Sequence, residues 1–225
     1  MLQQLKFLRF LICCGFLYIS NVLQAQLHVD LSTGVGFTST HFNEVKNHPV
    51  PLKIETGFYP NFFAGLRLGG DLGKKMEWRT EFQYAPRGMK YETNPGRTPD
   101  NYYRYHYICI QPEVARKFSR ERLMLRAGLN AGKLLAVDGK GPGYEWTPLQ
   151  ADFIENLWND YDFGAILGAE WKVFKGIFVR ADLYWGLAAI SEREITDANG
   201  ADLGTYKERS RAISLAVGYR LLGRN

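Results

Sequence analysis

The sequence predicts an all-β protein, an eight-stranded antiparallel up-and-down transmembrane β-barrel with a charged, side-chain-filled lumen. Three observations carry this. Eight segments alternate apolar and polar residues with period two, as strands with two different faces do. Their polar faces carry glycine beside arginine, aspartate and glutamate. The gaps between segments alternate long and short, the rhythm of an outer-membrane barrel with long outer loops and tight periplasmic turns.

The chain of 225 residues is 46% hydrophobic and 23% charged, which suits one folded domain. It begins MLQQLKFLRF, with Lys6 and Arg9 and no acid. An apolar run of about 14 residues follows, Phe10 to Leu23, too short for a spanning helix. LQAQ then offers a cut after Ala25. This is the order of a secretory signal peptide, so residues 1–25 are expected to be a cleaved Sec signal and 26–225 the barrel domain. An uncleaved N-terminal anchor is the alternative. Cleavage lowers the formal charge from +5 to +3, by loss of Lys6 and Arg9, too mild and dispersed for a nucleic-acid partner. Cys13 and Cys14 leave with the signal, without the preceding small residue that lipidation needs. Cys109 alone remains, which excludes an internal disulfide and a cysteine metal cluster.

The strands are expected near 27–38, 60–69, 76–86, 103–117, 122–135, 161–173, 176–189 and 209–222. Each can supply the roughly 9–11 residues a tilted strand needs to cross a bilayer. Short connections fall at Asp71–Lys75, Ser119–Glu121 and Phe174–Gly176, and long ones lie between the other pairs. An even strand count with this rhythm puts both termini in the periplasm.

In 161–173, Phe163, Ala165, Leu167, Ala169, Trp171 and Val173 share one face, and Asp162, Gly164, Ile166, Gly168, Glu170 and Lys172 the other. A lysine or arginine facing lipid at mid-bilayer costs about 2–4 kcal/mol, so the charged face must be the lumen if lipid surrounds the barrel. A soluble barrel of lipocalin type, apolar inside, is the alternative. Glycine discriminates: Gly34, Gly36, Gly65, Gly69, Gly128, Gly132, Gly164, Gly168, Gly186 and Gly218 all fall on the charged face. The interior of an eight-stranded barrel is just wide enough for side chains, and long ones fit only opposite small ones. On an outer surface those glycines would weaken the strands for no packing gain. Aromatics on the apolar face agree, with Trp78, Trp171 and Tyr219 at the turn ends and Tyr84, Phe163 and Trp185 at the long-loop ends.

The lumen set is Asp30, Arg67, Glu77, Arg79, Glu81, Glu113, Arg126, Asp162, Glu170, Lys172, Arg180, Asp182 and Arg220, seven acids against six bases. Buried charge persists only when paired, so the set reads as a structural salt-bridge plug rather than an ion path. A candidate binding surface lies in the loops: Tyr103, Tyr105, His106, Trp146, Phe153 and Trp158. The run Tyr102–Tyr107 suits a glycan or peptide platform, or an aromatic ladder that stiffens a strand beyond the membrane. Thr147-Pro148 reads as a helix start, and Leu149, Phe153 and Leu157 recur at helical spacing, predicting a short amphipathic helix over the barrel mouth. His41, His48 and His106 form no triad spacing, and no phosphate loop or metal-ligand spacing occurs. No catalytic, cofactor or metal residue is therefore assigned.

The segments QAQ, YHYICIQPEVARKF, YDFGAILGAEWKV and ISLAVGYRLL resemble the PorT-like outer-membrane β-barrel family of Bacteroidota. The resemblance implies an eight-stranded barrel exported by the Sec pathway and inserted by the barrel-assembly machinery. It covers the mature chain as a pattern of strands and names no catalytic motif. The expected function is a non-enzymatic anchor or scaffold in the outer membrane. Its partners are outer-membrane lipids, the assembly machinery during insertion, and a protein at the outer loops. An accessory subunit of a secretion or transport complex is the alternative, and a lipid-modifying enzyme the third reading.

Overall fold

The computed structural model describes residues 27–42, 56–91, 101–118, 122–141, 144–146, 158–196 and 202–223. The expected signal peptide, the expected helix after Thr147 and Phe153 lie outside these residues.

The described residues form ten strands: β1 His28–Phe42, β2 Thr56–Asp71, β3 Met76–Tyr91, β4 Tyr102–Phe118, β5 Leu123–Gly141, β6 Tyr144–Trp146, β7 Tyr161–Phe174, β8 Ile177–Gly186, β9 Ser191–Thr196 and β10 Asp202–Leu222. Eight of them run antiparallel in the order β1-β2-β3-β4-β5-β7-β8-β10, and β10 pairs back onto β1, closing the barrel. The seam is in register from Asp30↔Arg220 to Phe42↔Glu208. Closure leaves no edge within the bilayer, which lipid requires because it cannot hydrogen-bond a free strand.

The faces divide as alternation demands. Leu31, Leu66, Phe82, Ile110, Leu125, Leu183 and Leu215 point outward and are exposed, with Leu167 at 61% and Trp185 at 71%. Arg67, Arg79, Glu81 and Glu170 point inward and are buried to 1% exposure or less. A soluble fold would invert this arrangement, so the outer face is the lipid face. No helix among the described residues is long and apolar enough to cross a membrane, and the crossing elements are strands.

Several strand bounds differ from expectation. The third strand runs to Tyr91 rather than 86, the fifth to Gly141 rather than 135, and the last starts at Asp202 rather than 209. With 16, 19 and 21 residues, β3, β5 and β10 exceed the bilayer span and build a wall beyond it. β8 stops at Gly186 instead of 189. The expected loop 190–208 instead folds into a β9–β10 hairpin, and β6 adds a short strand to the top of β5. The wall is therefore high over β1–β5 and β10 and low over β7 and β8. These extensions are polar and aromatic rather than cleanly alternating, so period two does not reveal them.

Tight turns close the other end. Lys175-Gly176 links β7 to β8 in two residues, with Gly176 at φ 74°, a region a side chain resists. Neighbouring hairpins are tied by Lys117 N donating to Lys75 O and Arg220 N to Gly176 O, both at 2.8 Å.

β2 and β3 lose ladder pairing between Phe58 and Ala64. Pro60 and Pro86 sit in this stretch, and neither has an N–H to give. The Thr38 hydroxyl of β1 spans the gap, donating to Gly88 O at 2.8 Å and accepting from Gly88 N at 2.7 Å.

Candidate functional site

Inward alternation places the charged side chains in tiers. At the turn end, Arg67 meets Asp30 at 2.9 Å and Glu170 at 2.7 Å. Arg79 shares Glu170 at 2.9 Å and holds Glu77 at 2.6 Å. Arg220 reaches the other oxygen of Asp30 at 2.9 Å, and Lys117 bridges Glu77 and Asp71 at 3.0 and 2.6 Å. In the middle tier Arg180 grips Glu81 with both terminal nitrogens, and Ser32 donates to the same carboxylate at 2.8 Å. Arg126 joins Asp182 at 2.8 Å to Glu113 at 3.1 Å. Gln111 donates to Gln83 at 2.8 Å and to Asn130 at 3.0 Å. Higher still, Arg87 pairs with Asp162, which also accepts from the Tyr184 hydroxyl at 2.7 Å. The Arg87 guanidinium lies 3.8 Å from the Tyr184 ring centroid.

Lys172 is half-buried at the turn-end mouth beside Arg220 and joins no ion pair among the described residues. The other twelve residues of the expected lumen set all point inward into these tiers. Reasoning from sequence missed Arg87, Lys117, Glu208 and His28. Arg87 continues the alternation of Glu77, Arg79, Glu81 and Gln83 one step past the expected strand end, so the signal was there. With Arg87, Lys117 and Glu208 added, eight acids meet eight bases in the described lumen.

Glycine makes the room. A Cβ at Gly65 would overlap Glu81, one at Gly168 Asp182, one at Gly164 the Tyr184 ring, and one at Gly218 the Phe178 ring. The remaining space is small. A cavity of about 50 Å³ lies against Phe63, Arg87, Gln111 and Tyr184, enough for a few waters.

Over the loop end sits an apolar cap of Ala85, Tyr105, Tyr107, Cys109, Val137, Trp158 and Ile190. Trp158 contacts the Tyr105 ring edge-on at 5.7 Å and Tyr103 at 5.9 Å. Two backbone bonds at 2.8 Å, Asn159 N to Ile190 O and Ile190 N to Glu208 O, draw the cap over the low side of the wall. This corrects part of the expected binding surface. Tyr105 is 0% exposed because odd-numbered positions of β4 face the lumen axis, and Trp158, only 7% exposed, packs onto it from the segment before β7. Tyr103 packs against the same cap.

His106 faces outward. Its Nε2 meets Asp138 Oδ2 at 2.7 Å, its Nδ1 meets the Tyr84 hydroxyl, and Arg104 forks onto Asp138 at 3.0 and 2.8 Å. The set anchors Tyr84 at the rim of the lipid face. Trp146 ends β6, with Gly139 as its partner. Among the described residues no group of three His, Cys, Asp or Glu side chains could hold a metal ion.

The family described as "Outer membrane protein beta-barrel domain" matches residues 24–192. The chain belongs to this family. Membership and the lipid-facing exterior place the protein in the outer membrane. Solved structures of similar shape include neisserial surface protein A, with 9% identity and a TM-score of 0.45, covering 85% of this chain and 96% of that one. OprG of Pseudomonas aeruginosa gives 8% and 0.47, with 88% and 97% covered. Ail, the attachment invasion locus protein of Yersinia pestis, gives 10% and 0.43, with 87% and 99% covered. No match was found among curated proteins.

Proposed function

We propose that this family member is a non-enzymatic outer-membrane barrel that acts as an anchor or scaffold and presents its loop end to a protein partner. The observation that carries the reading is the closed interior: charge tiers, glycine-backed rings and an aromatic cap leave small cavities, and the ionisable groups of the tiers, Lys172 apart, are spent on one another. A wall this filled suits neither conduction nor a reacting substrate. The reading includes export by the Sec signal at residues 1–25, insertion by the barrel-assembly machinery, both termini in the periplasm, and the long loops outside. Outer-membrane lipids are its constant partners, and nucleic acid is not among them. The PorT-like resemblance is the finer family reading within it.

Planar-bilayer recording tests the closed interior; a large, steady conductance would overturn it. Crosslinking in intact outer membrane, followed by identification of the captured proteins, tests the scaffold role. Capture of one stoichiometric partner at the loop end is expected, and capture of secretion machinery would assign the accessory-subunit reading instead. Altered lipid acylation in a deletion strain would replace both with the enzyme reading.

A further inference from the structure

Positive charge collects at the turn end. Lys74, Lys75, Arg116, Arg122, Lys172 and Lys175 join no ion pair among the described residues. The four acids of this end, Asp30, Asp71, Glu77 and Glu170, are held by four cations, Arg67, Arg79, Lys117 and Arg220. The surplus of six exceeds the +5 of the whole chain, so the rest of the chain is near balance. Residues 119–121 and 224–225, which adjoin this end in sequence, contain two bases and one acid and do not reverse it. Three backbone bonds of 2.8 Å lace each turn to the next strand: Lys117 N to Lys75 O, Lys172 N to Arg122 O, and Arg220 N to Gly176 O, beside Lys175. Each sets a basic residue of a turn about one strand spacing, ~4.8 Å, from a basic residue of its neighbour. Like charges so placed repel and cost stability unless an anion lies between them. Lys74, Lys75, Arg122 and Lys175 are exposed on the turns, Arg116 points to the lipid side, and Lys172 points into the mouth and is half-buried. A cavity of about 30 Å³ opens beside Lys172, against Gly176 and Phe178, with room for one carboxylate-sized group. Glu170 also lines it, but Arg67 and Arg79 already hold that carboxylate.

A half-buried ammonium without an ion pair is costly to keep and gains most from an anion brought to it. Lipid headgroups do not reach Lys172, because acyl chains lie against the outer face of the wall and Lys172 faces the axis. The other cations are spread round a rim rather than focused on one point, so a single small anion meets only one or two of them. A flexible chain with several carboxylates meets most. Ammonium groups act as point charges, which suit single carboxylates, whereas the planar fork of arginine suits phosphate. We propose that the turn-end mouth docks an acidic segment of a periplasmic protein, with one carboxylate on Lys172 and others on Lys74, Lys75, Arg122 and Lys175. The inference rests on the orientation proposed above, which puts the turns in the periplasm, and adds a second contact to the one at the loop end.

The test uses the full barrel in a non-ionic detergent and a dye-labelled Glu-Gly repeat peptide, read by fluorescence anisotropy, with a Gln-Gly repeat as its neutral counterpart. Heat-modifiable gel migration confirms that each variant is folded. The acidic peptide should bind and the neutral one should not, and added salt should weaken binding because exposed charges are screened. K74Q/K75Q/K175Q should weaken it by about tenfold, the scale of three exposed ion pairs. K172Q should weaken it by about threefold, with K172R restoring it. Lys207→Gln, a cation at the loop end that pairs with Glu192, should change nothing. Equal binding of both peptides, full binding by K74Q/K75Q/K175Q, or an equal loss in K207Q would overturn the proposal. Full binding by K172Q would overturn the placement in the mouth. Failure of the acidic peptide to bind, with the triple variant losing phosphatidylglycerol in native mass spectrometry or purified peptidoglycan in a pelleting assay, would give the rim to a headgroup or to the wall polymer instead. Labelling of T205C by an impermeant maleimide on intact cells reads the orientation independently, so the two failures remain separable.

Discussion

Phe178 on β8 and Gly218 on β10 are ladder partners, and the phenyl ring occupies the space a side chain at 218 would need. The Arg67 guanidinium carbon sits 4.5 Å from the centroid of that ring, so one glycine positions an aromatic that in turn positions the turn-end charge tier. Replacing Gly218 with valine should therefore force the ring toward Arg67. Overpacking of this kind costs about 1–3 kcal/mol, read as a lower denaturant midpoint in micelles. Phe178→Ala in the same chain should recover part of the loss, whereas Phe178→Ala alone should not stabilise.

Arg67 offers a sharper contrast between buried and exposed charge. Arg67→Met leaves Asp30 and Glu170 with a missing partner in a 0%-exposed site, and a broken buried pair costs about 3–5 kcal/mol. Glu192→Ala removes the partner of Lys207 on the outer face, where both side chains are exposed and water replaces it, and should cost about 1 kcal/mol or less. Chemical denaturation of the two variants side by side checks the ranking.

The Thr38–Gly88 exchange stands in for the ladder that Pro60 and Pro86 interrupt. Thr38→Val keeps the shape and removes both bonds, so the Gly88 amide should lose protection from hydrogen exchange. The expected destabilisation is about 1–3 kcal/mol, and Thr38→Ser should preserve both the amide protection and most of the stability.

Trp158 closes the low side of the wall through Tyr103 and Tyr105. Trp158→Ala should release the amides of Asn159 and Ile190 to fast exchange. The membrane-spanning ladder should remain intact, with heat-modifiable migration unchanged, because the cap lies beyond the lipid-facing rows.

The lumen was more legible in the sequence than the rim. Glu170 and Gly168 on one face of β7, opposed by Trp171 and Leu167 on the other, give away both lumen and lipid by alternation alone. Arg87 was missed for a local reason. Pro86 sits where the β2–β3 ladder is interrupted, and a proline reads as a strand end one residue before the arginine. Tyr105 and Trp158 are named by the sequence but as a binding surface, for a different reason: an aromatic beyond the membrane can face water or a neighbour, and sequence periodicity does not distinguish the two. The Arg104–Asp138–His106–Tyr84 chain was equally hidden, because a bulge between His106 and Tyr107 shifts the β4–β5 register.

By itself, the sequence determined the eight strands of the barrel, the two faces and the lipid-outside orientation of the wall. Those follow from the two-residue period of a strand and from the cost of a charge in lipid, both local properties. Only the tertiary structure decided which acid meets which base. It also decided which glycine makes room for which ring, and that the tyrosines of β4 close the mouth instead of lining a surface. Partners such as Arg67 and Glu170 are 103 residues apart, and nothing short of barrel closure and register brings them together.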